Sequence, residues 1–387
     1  MKKPLVSALL ALAVSAGLVA PALAAEEIAI PVIISLTGPA SFFGQKEQAS
    51  LRVLETTVNA AGGIRGRNVK FEFSDDESNP QVAVQLASGL IAKTVPLIFG
   101  PVFTATCQAV APLVDKSGPV AFCLSPAIFP RSNGYMFMGA PSIDDVQPVI
   151  FRYLLTRKLL KVAMMTSTDA SGADFEKRVD GILAAPEFKN IKVVTREHFA
   201  TTDISVAAQM SRIKATAPDV LLTFTVGTPF GTLLRGVHDA GLDVPVYGSG
   251  GNFTYAQMQQ YASFLPKELF LNGSRGITPD ATATGAIKRA QDGYFAALAR
   301  AGLRSEFPTS IPWDPMNIVL EAMRRVGPDA DAQQLWTAIQ NIKGYTGIEG
   351  TYDFTTHDQR GLGESATALF RYDQAKNEFV QFFPAKR

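Results

Sequence analysis

The sequence predicts an α/β protein of two lobes, each a parallel sheet wound with helices, and three observations lead there. Short β-branched runs alternate with helical patterns from Ile28 to about Asn272, the signature of parallel strands joined by helical crossovers. The alternation comes as two successive series, one before and one after Met138-Gly139-Ala140-Pro141-Ser142. Finally, the 387-residue chain exceeds the size at which a single core stops growing.

The elements follow in order. Lys2 and Lys3 precede an apolar run from Leu5 to Val19 that closes on Pro21-Ala22-Leu23-Ala24, so residues 1–24 read as a secretory leader cut near Ala24. Its apolar core is too short to span a bilayer and no Cys follows to take a lipid, which predicts a soluble exported chain. Strands are expected at 28–35, 69–74, 96–99, 120–122, 161–166, 193–199, 220–224, 245–247 and 269–272. The spacing of Ala49, Val53, Leu54 and Val58 predicts a helix over 44–60, stopped by Gly62-Gly63. Similar patterns predict helices over 81–92, 106–116, 204–215 and 230–240. After residue 272 longer helices are expected at 281–301 and 312–326 and a shorter one at 331–339, followed by turns and strands over 350–383. A chain that builds two lobes and still has about a hundred residues must cross back, so both lobes are expected to be discontinuous: 27–142 with 276–352, and 143–275 with 353–387. Several crossings make a hinge.

Composition excludes several partner classes. Without Lys2 and Lys3 the 36 basic residues fall to 34 against 35 acidic ones, and no basic block exists to hold nucleic acid or an anionic membrane. The only two cysteines, Cys107 and Cys123, are expected to pair in an oxidising compartment, the alternative being two buried thiols. His198, His238 and His357 lack metal-ligand spacing, and no metal site or cofactor is expected. There is no G-x-S-x-G elbow, H-E-x-x-H or Walker loop. Gly248-x-Gly250-Gly251 departs from the dinucleotide fingerprint, and the adjacent carboxylates Asp75-Asp76-Glu77 read as a solvated turn.

Ligands of parallel α/β sheets sit beyond the carboxyl ends of the strands. In the first series the turn 35–44 carries Phe42 and Phe43 into a helix start. The turn at Gly100-Pro101-Val102-Phe103-Thr104 leads into a helix whose free N–H groups and positive dipole end attract a carboxylate, with the Thr104 hydroxyl as a further donor or as a cap. Cys123-Leu124-Ser125-Pro126-Ala127 follows the next strand, and a Cys107–Cys123 bond would lock these two turns together. In the second series the matching turns are Thr168-Asp169-Ala170-Ser171-Gly172, Thr225-Val226-Gly227-Thr228-Pro229 and Gly248-Ser249-Gly250-Gly251-Asn252. These are small, polar and Gly-rich, as backbone contact with a bound molecule or an ordinary βα loop requires.

Leu36-Thr37-Gly38-Pro39 with the following Phe-Gly, Asn59-Ala60-Ala61-Gly62-Gly63-Ile64-Arg65-Gly66, the Asp75-Asp76 turn, Gly100-Pro101 and Ala240-Gly241-Leu242 resemble the leucine/isoleucine/valine-binding type of periplasmic solute receptor over nearly the whole mature chain. The resemblance implies a type I periplasmic binding protein fold, two Rossmann-like lobes joined by a three-crossing hinge. It implies a monomer in the periplasm that is not an enzyme and that delivers a small carboxylate ligand to an inner-membrane ABC permease. Carried over residue by residue, Thr104 holds the ligand carboxylate with Phe103 beside it, Ser125 and Ala127 supply second-strand contacts, and Phe43 is an aromatic lid. Ser171 falls where amino-acid receptors often have an aromatic, Thr225 and Val226 occupy a further contact loop, and Asn252 closes the last one. Gly250 falls where amino-acid receptors present an acid to the ligand ammonium, and an unpaired ammonium in a closed cleft costs several kcal/mol. A hydrophobic or aromatic carboxylate of the benzoate or cinnamate kind is therefore expected. The alternatives are a receptor for branched-chain or other hydrophobic amino acids and, from another class, a ligand sensor for a kinase or chemoreceptor.

Overall fold

A computed structural model of the protein describes residues 26–280 and 282–384. The leader expected at 1–24 lies outside the described residues. The chain opens with β1 (Ile28–Ile34), α1 (Ser41–Ala60), β2 (Val69–Asp75), α2 (Pro80–Ala92), β3 (Leu97–Phe99), α3 (Thr104–Val114), β4 (Val120–Cys123) and β5 (Met136–Met138), which make a five-stranded sheet in the order β2-β1-β3-β4-β5. All its pairs are parallel. Both faces of β3, β4 and β5 are covered, so these strands are apolar and buried throughout, whereas the edge strand β2 alternates and exposes Lys70 and Glu72. Ile34, Phe99, Phe122 and Phe137 belong to one core, while Ile33, Ile98, Ala121 and Met136 belong to another with residues of α2 and α3. β5, which ends where the segment 138–142 that divides the two series begins, is a strand the sequence reading did not include. Its three residues are fully buried but are too few to show a period.

The second series is α4 (Ile143–Arg157), β6 (Lys161–Ser167), α5 (Ala170–Leu183), β7 (Lys192–Phe199), α6 (Ala207–Ala215), β8 (Val220–Phe224), α7 (Thr228–Asp239), β9 (Val246–Gly248), α8 (Tyr255–Gln260) and β10 (Leu269–Ser274). Its parallel core, β7-β6-β8-β9-β10, repeats the first sheet's order strand for strand. Both sheets therefore reverse order at equivalent places, between β1 and β3 and between β6 and β8, and each reversal leaves a crevice at the carboxyl ends of its strands. The helix expected from 204 starts only at Ala207. Ile204 is 96% exposed and the Ser205 hydroxyl accepts from the Ala207 N–H at 3.4 Å.

After β10 the chain adds α9 (Gly285–Arg300), α10 (Phe307–Ser310), α11 (Trp313–Val326) and α12 (Ala332–Gln340), of which α9, α10 and α11 pack on α1. A two-stranded ribbon follows, β11 (Lys343–Thr346) with β12 (Thr351–Asp353), before β13 (Thr367–Asp373) and β14 (Glu378–Pro384) extend the second sheet antiparallel from β10. The last return to the second sheet comes later than the expected 353. Phe354 packs edge-on against Phe137 at 5.7 Å, and the Met138 N–H donates to the Gln359 carbonyl at 2.8 Å, which keeps residues up to about 360 with the first sheet.

Three segments thus pass between the lobes, and they are tied to one another. The Tyr352 hydroxyl donates to the Gly139 carbonyl at 2.9 Å, and the Arg275 N–H donates to the Ala366 carbonyl at 2.9 Å. Arg360, from the third segment, donates to the Ala140 carbonyl at 3.2 Å and to the Ile128 carbonyl. Burial pushes its guanidinium down to about 10, against the pull of Asp145 and Asp144. Across the lobes, Arg178 of α5 lies 3.3 Å from the centre of the Phe129 ring, a cation–π contact that holds a first-lobe loop to the second lobe.

Candidate functional site

The two crevices face each other and enclose a cavity of about 420 Å³, within the range of small-molecule sites. Its first-lobe wall comes from the turns after β1, β3 and β4. Thr104 is the first residue of α3, not its cap, since the preceding Phe103 occupies that place and the Thr106 hydroxyl accepts from the Phe103 N–H at 3.3 Å. The Thr104 hydroxyl instead lies 2.7 Å from the Ser125 hydroxyl, and both residues are 6% exposed and line the cavity. Two hydroxyls beside the open N-terminus of an eleven-residue helix can give hydrogen bonds to a carboxylate without a cationic side chain.

This pair is held in place covalently. Cys107 of α3 and Cys123 of β4 form a disulfide with Cα atoms 5.9 Å apart, as the sequence led us to expect. Ala127 also lines the wall. The Pro126 carbonyl accepts from Arg360 at 3.5 Å. A trans peptide points its C=O and N–H in opposite directions, so the Ala127 N–H is turned away from Arg360.

The rings are distributed differently from expectation. Phe43, expected as the lid, is 5% exposed and forms a wall of three rings, 5.7 Å from Phe103 and 5.8 Å from Phe307. The aromatic that spans the cleft is Phe42, whose ring would come within 3.1 Å of a Cβ at Gly227, a residue with φ +84°. α1 begins at Ser41, which turns the first ring outward and the second inward. Phe307, from a four-residue helix, and Phe175 and Phe224, stacked at 4.6 Å, complete the six rings of the lining.

The second-lobe wall comes from the turns after β6, β8 and β9. Ser171, Val226 and Gly250 line the cavity, with Asp169, Thr228 and Asn272. Thr225 and Asn252, also expected as contacts, are not part of the lining. Both are fully buried and act behind the wall: Asn252 Nδ2 donates to the Thr225 carbonyl at 2.7 Å while its Oδ1 accepts from the Gly227 N–H at 3.0 Å. Asn252 has spent its amide on closing the loops. Gly250 has no room for a side chain, since a Cβ there would lie 2.6 Å from the Asn272 carbonyl.

The electrostatics of the lining are sparse. Asp169 is its single ionisable side chain. Asp169 caps α5, and its Oδ1 accepts from the Ser167 hydroxyl at 2.9 Å, the Ser171 hydroxyl at 3.0 Å and the Gly172 N–H at 3.0 Å. Among the described residues its other oxygen has no hydrogen-bond partner. Sequence reasoning named Asp169 as part of this loop and, with Asp174 and Glu77, as a carboxylate able to reach the cleft in place of the missing acid; of the three, Asp169 lines the cavity. Phe42, Phe307 and Asn272 went unassigned. Among the described residues no group of three or more His, Cys, Asp or Glu could hold a metal ion, and no helix is long and apolar enough to cross a membrane.

Comparison with known proteins agrees with this architecture. The model of the family described as periplasmic binding protein matches residues 27–377. Leu/Ile/Val-binding protein homolog 3 of Brucella melitensis is 24% identical over 355 residues, covering 90% of this chain and 92% of its own. An extracellular ligand-binding receptor from Rhodopseudomonas palustris HaA2 superposes with a TM-score of 0.81 at 20% identity, covering 92% of this chain and 100% of its own. Two further structures hold ligands. One is a solute-binding protein of an R. palustris ABC transporter in complex with benzoate (TM-score 0.77, 16% identity, 93% of this chain and 98% of that one). The other is the branched-chain amino acid transporter substrate-binding protein LivJ of Streptococcus pneumoniae in complex with isoleucine (TM-score 0.76, 17% identity, 92% and 100%). With two lobes of repeated strand order, three crossings and a cavity between facing crevices, the chain belongs to the periplasmic binding protein family, whose members bind solutes and are not enzymes.

Proposed function

We propose that this protein is a periplasmic receptor that closes its lobes on a small hydrophobic carboxylate, foremost an aromatic acid of the benzoate type, and passes it as a monomer to an inner-membrane ABC permease. The leader at 1–24 takes it there, and it has no catalytic role. The carboxylate rests on Thr104, Ser125 and the N–H groups at the start of α3 and at Ala127. Its body is enclosed by Phe43 and Phe103 on one side and by Ser171, Val226 and Gly250 on the other.

One observation carries this reading: the cavity walls supply six rings and neutral donors, and the position where an acid would meet an α-ammonium is a glycine with no room for a Cβ. The benzoate-bound neighbour supports it. A receptor for branched-chain amino acids is the second reading, favoured by Asp169, whose open oxygen offers an ammonium a partner on α5, the helix that meets α3 across the cleft, and by the relative named for leucine, isoleucine and valine.

Calorimetry with benzoate, cinnamate, leucine and isoleucine decides between them. The aromatic acids are expected to bind at least about tenfold tighter than leucine, a margin of about 1.4 kcal/mol. Asp169→Asn keeps the Oδ1 that caps α5 and should leave their affinity unchanged. Micromolar leucine binding that Asp169→Asn abolishes, with no response to benzoate, would install the amino-acid reading.

A further inference from the structure

The second-lobe wall contains a donor whose direction is fixed. Asn272, on β10, lines the cavity next to Gly250 and Phe307. Its Oδ1 accepts from the Gly250 backbone N–H at 2.8 Å and from the Tyr247 hydroxyl at 2.6 Å. A backbone N–H can only donate, so the amide atom facing it is the oxygen, and the orientation of the whole amide follows. The Tyr247 hydroxyl, close to the same oxygen, must then donate as well. Tyr247 is fully buried, and burial raises its pKa, which keeps that proton in place.

Both acceptor sites of Oδ1 are thereby filled, and the two hydrogens of Nδ2 have no partner among the described residues. A Cβ built on Gly250, itself part of the lining, would lie 3.2 Å from Nδ2 and 3.2 Å from the Phe307 ring. That places Nδ2 at the cavity surface beside an aromatic wall. An amide donor left unpaired when the lobes close over an apolar ligand loses its water without replacement, whereas a ligand oxygen at that spot satisfies it.

We propose that Asn272 is a specificity residue that selects ligands carrying a hydrogen-bond acceptor oxygen on the part of the molecule remote from the carboxylate, and disfavours isosteres with a methyl group or a cationic group there. The proposal deepens the aromatic-carboxylate reading and rests on it for the choice of probes. Sites built to bond a polar group reject analogues that lack it more strongly than apolar sites reject extra polarity. In chemical terms the solute class is an oxygen-substituted aromatic acid rather than a plain hydrocarbon acid.

The test is calorimetric and uses matched pairs on the full mature chain. 4-Acetylbenzoate and 4-isopropylbenzoate have nearly the same shape and differ by a carbonyl oxygen in place of a methyl, and the 3-substituted pair covers the other ring position. In the wild type the acetyl member of one pair should bind about fivefold tighter or more, the fold-change of one satisfied hydrogen bond. Asn272→Asp keeps an oxygen for Tyr247 and Gly250 but replaces the donor by an acceptor, so the ratio within the pair should vanish or invert, while wild-type benzoate affinity reports the ligand class separately. Equal affinities within both pairs in the wild type, or a ratio unchanged in Asn272→Asp, overturn the role of Asn272 even if benzoate binds well. If benzoate fails to bind, the aromatic reading falls, and leucine against asparagine, its carboxamide isostere, replaces the pairs. A preference for asparagine that disappears in Asn272→Asp sustains the donor role, and its absence, or binding by neither, overturns it.

Discussion

The two walls of the cavity are built on the same strand order and held by different chemistry. In the first lobe the turns after β3 and β4 are joined by the Cys107–Cys123 disulfide and by the Thr104–Ser125 contact of 2.7 Å. In the second lobe the equivalent turns are tied by side-chain hydrogen bonds, chiefly of amides: Asn252 bonds Thr225 and Gly227, Asn272 bonds Gly250, and the Ser249 hydroxyl donates to the Thr225 carbonyl at 3.1 Å. Covalent closure suits a wall that always holds the same group, the carboxylate. Side-chain amides can be exchanged one at a time, which suits a wall that must change with the ligand. On the proposed reading the shared architecture divides the labour: the first lobe would anchor and the second discriminate.

Removing the disulfide is expected to have the largest effect. Cys107→Ser with Cys123→Ser opens a loop of sequence separation 16 and should cost roughly 3 kcal/mol in denaturant unfolding. If the first wall owes its shape to that bond, ligand affinity should fall too; an unchanged affinity would show that the hydroxyl pair holds itself and would blunt the contrast between the walls.

Next in size, Thr104→Val keeps the shape of the side chain and removes its hydroxyl. Binding of every carboxylate should weaken alike by about 1–3 kcal/mol, with little change in the ligand-free melting temperature. A loss confined to one ligand would mean that Thr104 discriminates rather than anchors, and the division would fail.

The smallest of the three concerns the second wall. Gly250→Ala places a methyl 2.6 Å from the Asn272 carbonyl, and relief of that contact should cost about 1 kcal/mol or somewhat more in stability. Its signature is selectivity. Affinities for differently substituted benzoates should change order, whereas Thr104→Val should only scale them, and a titration series on both variants separates these outcomes.

Much of this was legible in the sequence because it follows from strand ends. Thr104, Ser125, Ala127, Ser171, Val226 and Gly250 lie just beyond the strands that the β-branched runs marked, and the topology brings those ends together. What was not legible depends on phase and on distance along the chain. Whether Phe42 or Phe43 faces the cleft is set by where α1 starts, and the helix begins three residues before the expected 44. Phe307 arrives from a four-residue helix far along the chain, too short to leave a periodic trace. Asn272 sits at the end of an apolar run that reads as core. Thr225 and Asn252 occupy the right loops but face inward, because the Thr225 carbonyl and the Gly227 N–H need partners and Asn252 is the residue that provides them.

The contact between Phe42 and Gly227 bears on time rather than on recognition. A Cβ at 227 would stand 3.1 Å from the ring, so on the proposed closure of the lobes the ring would act as a door meeting its frame, with the glycine as the recess into which the door fits. A bulkier residue would leave the door ajar, and a captured solute would escape sooner without having lost a single one of its own hydrogen bonds. The same pair is a built-in ruler. On that closure its separation would change with each opening and closing, so dyes placed on the surface just outside it would register how long the receptor stays shut, and residence could be set independently of what is held.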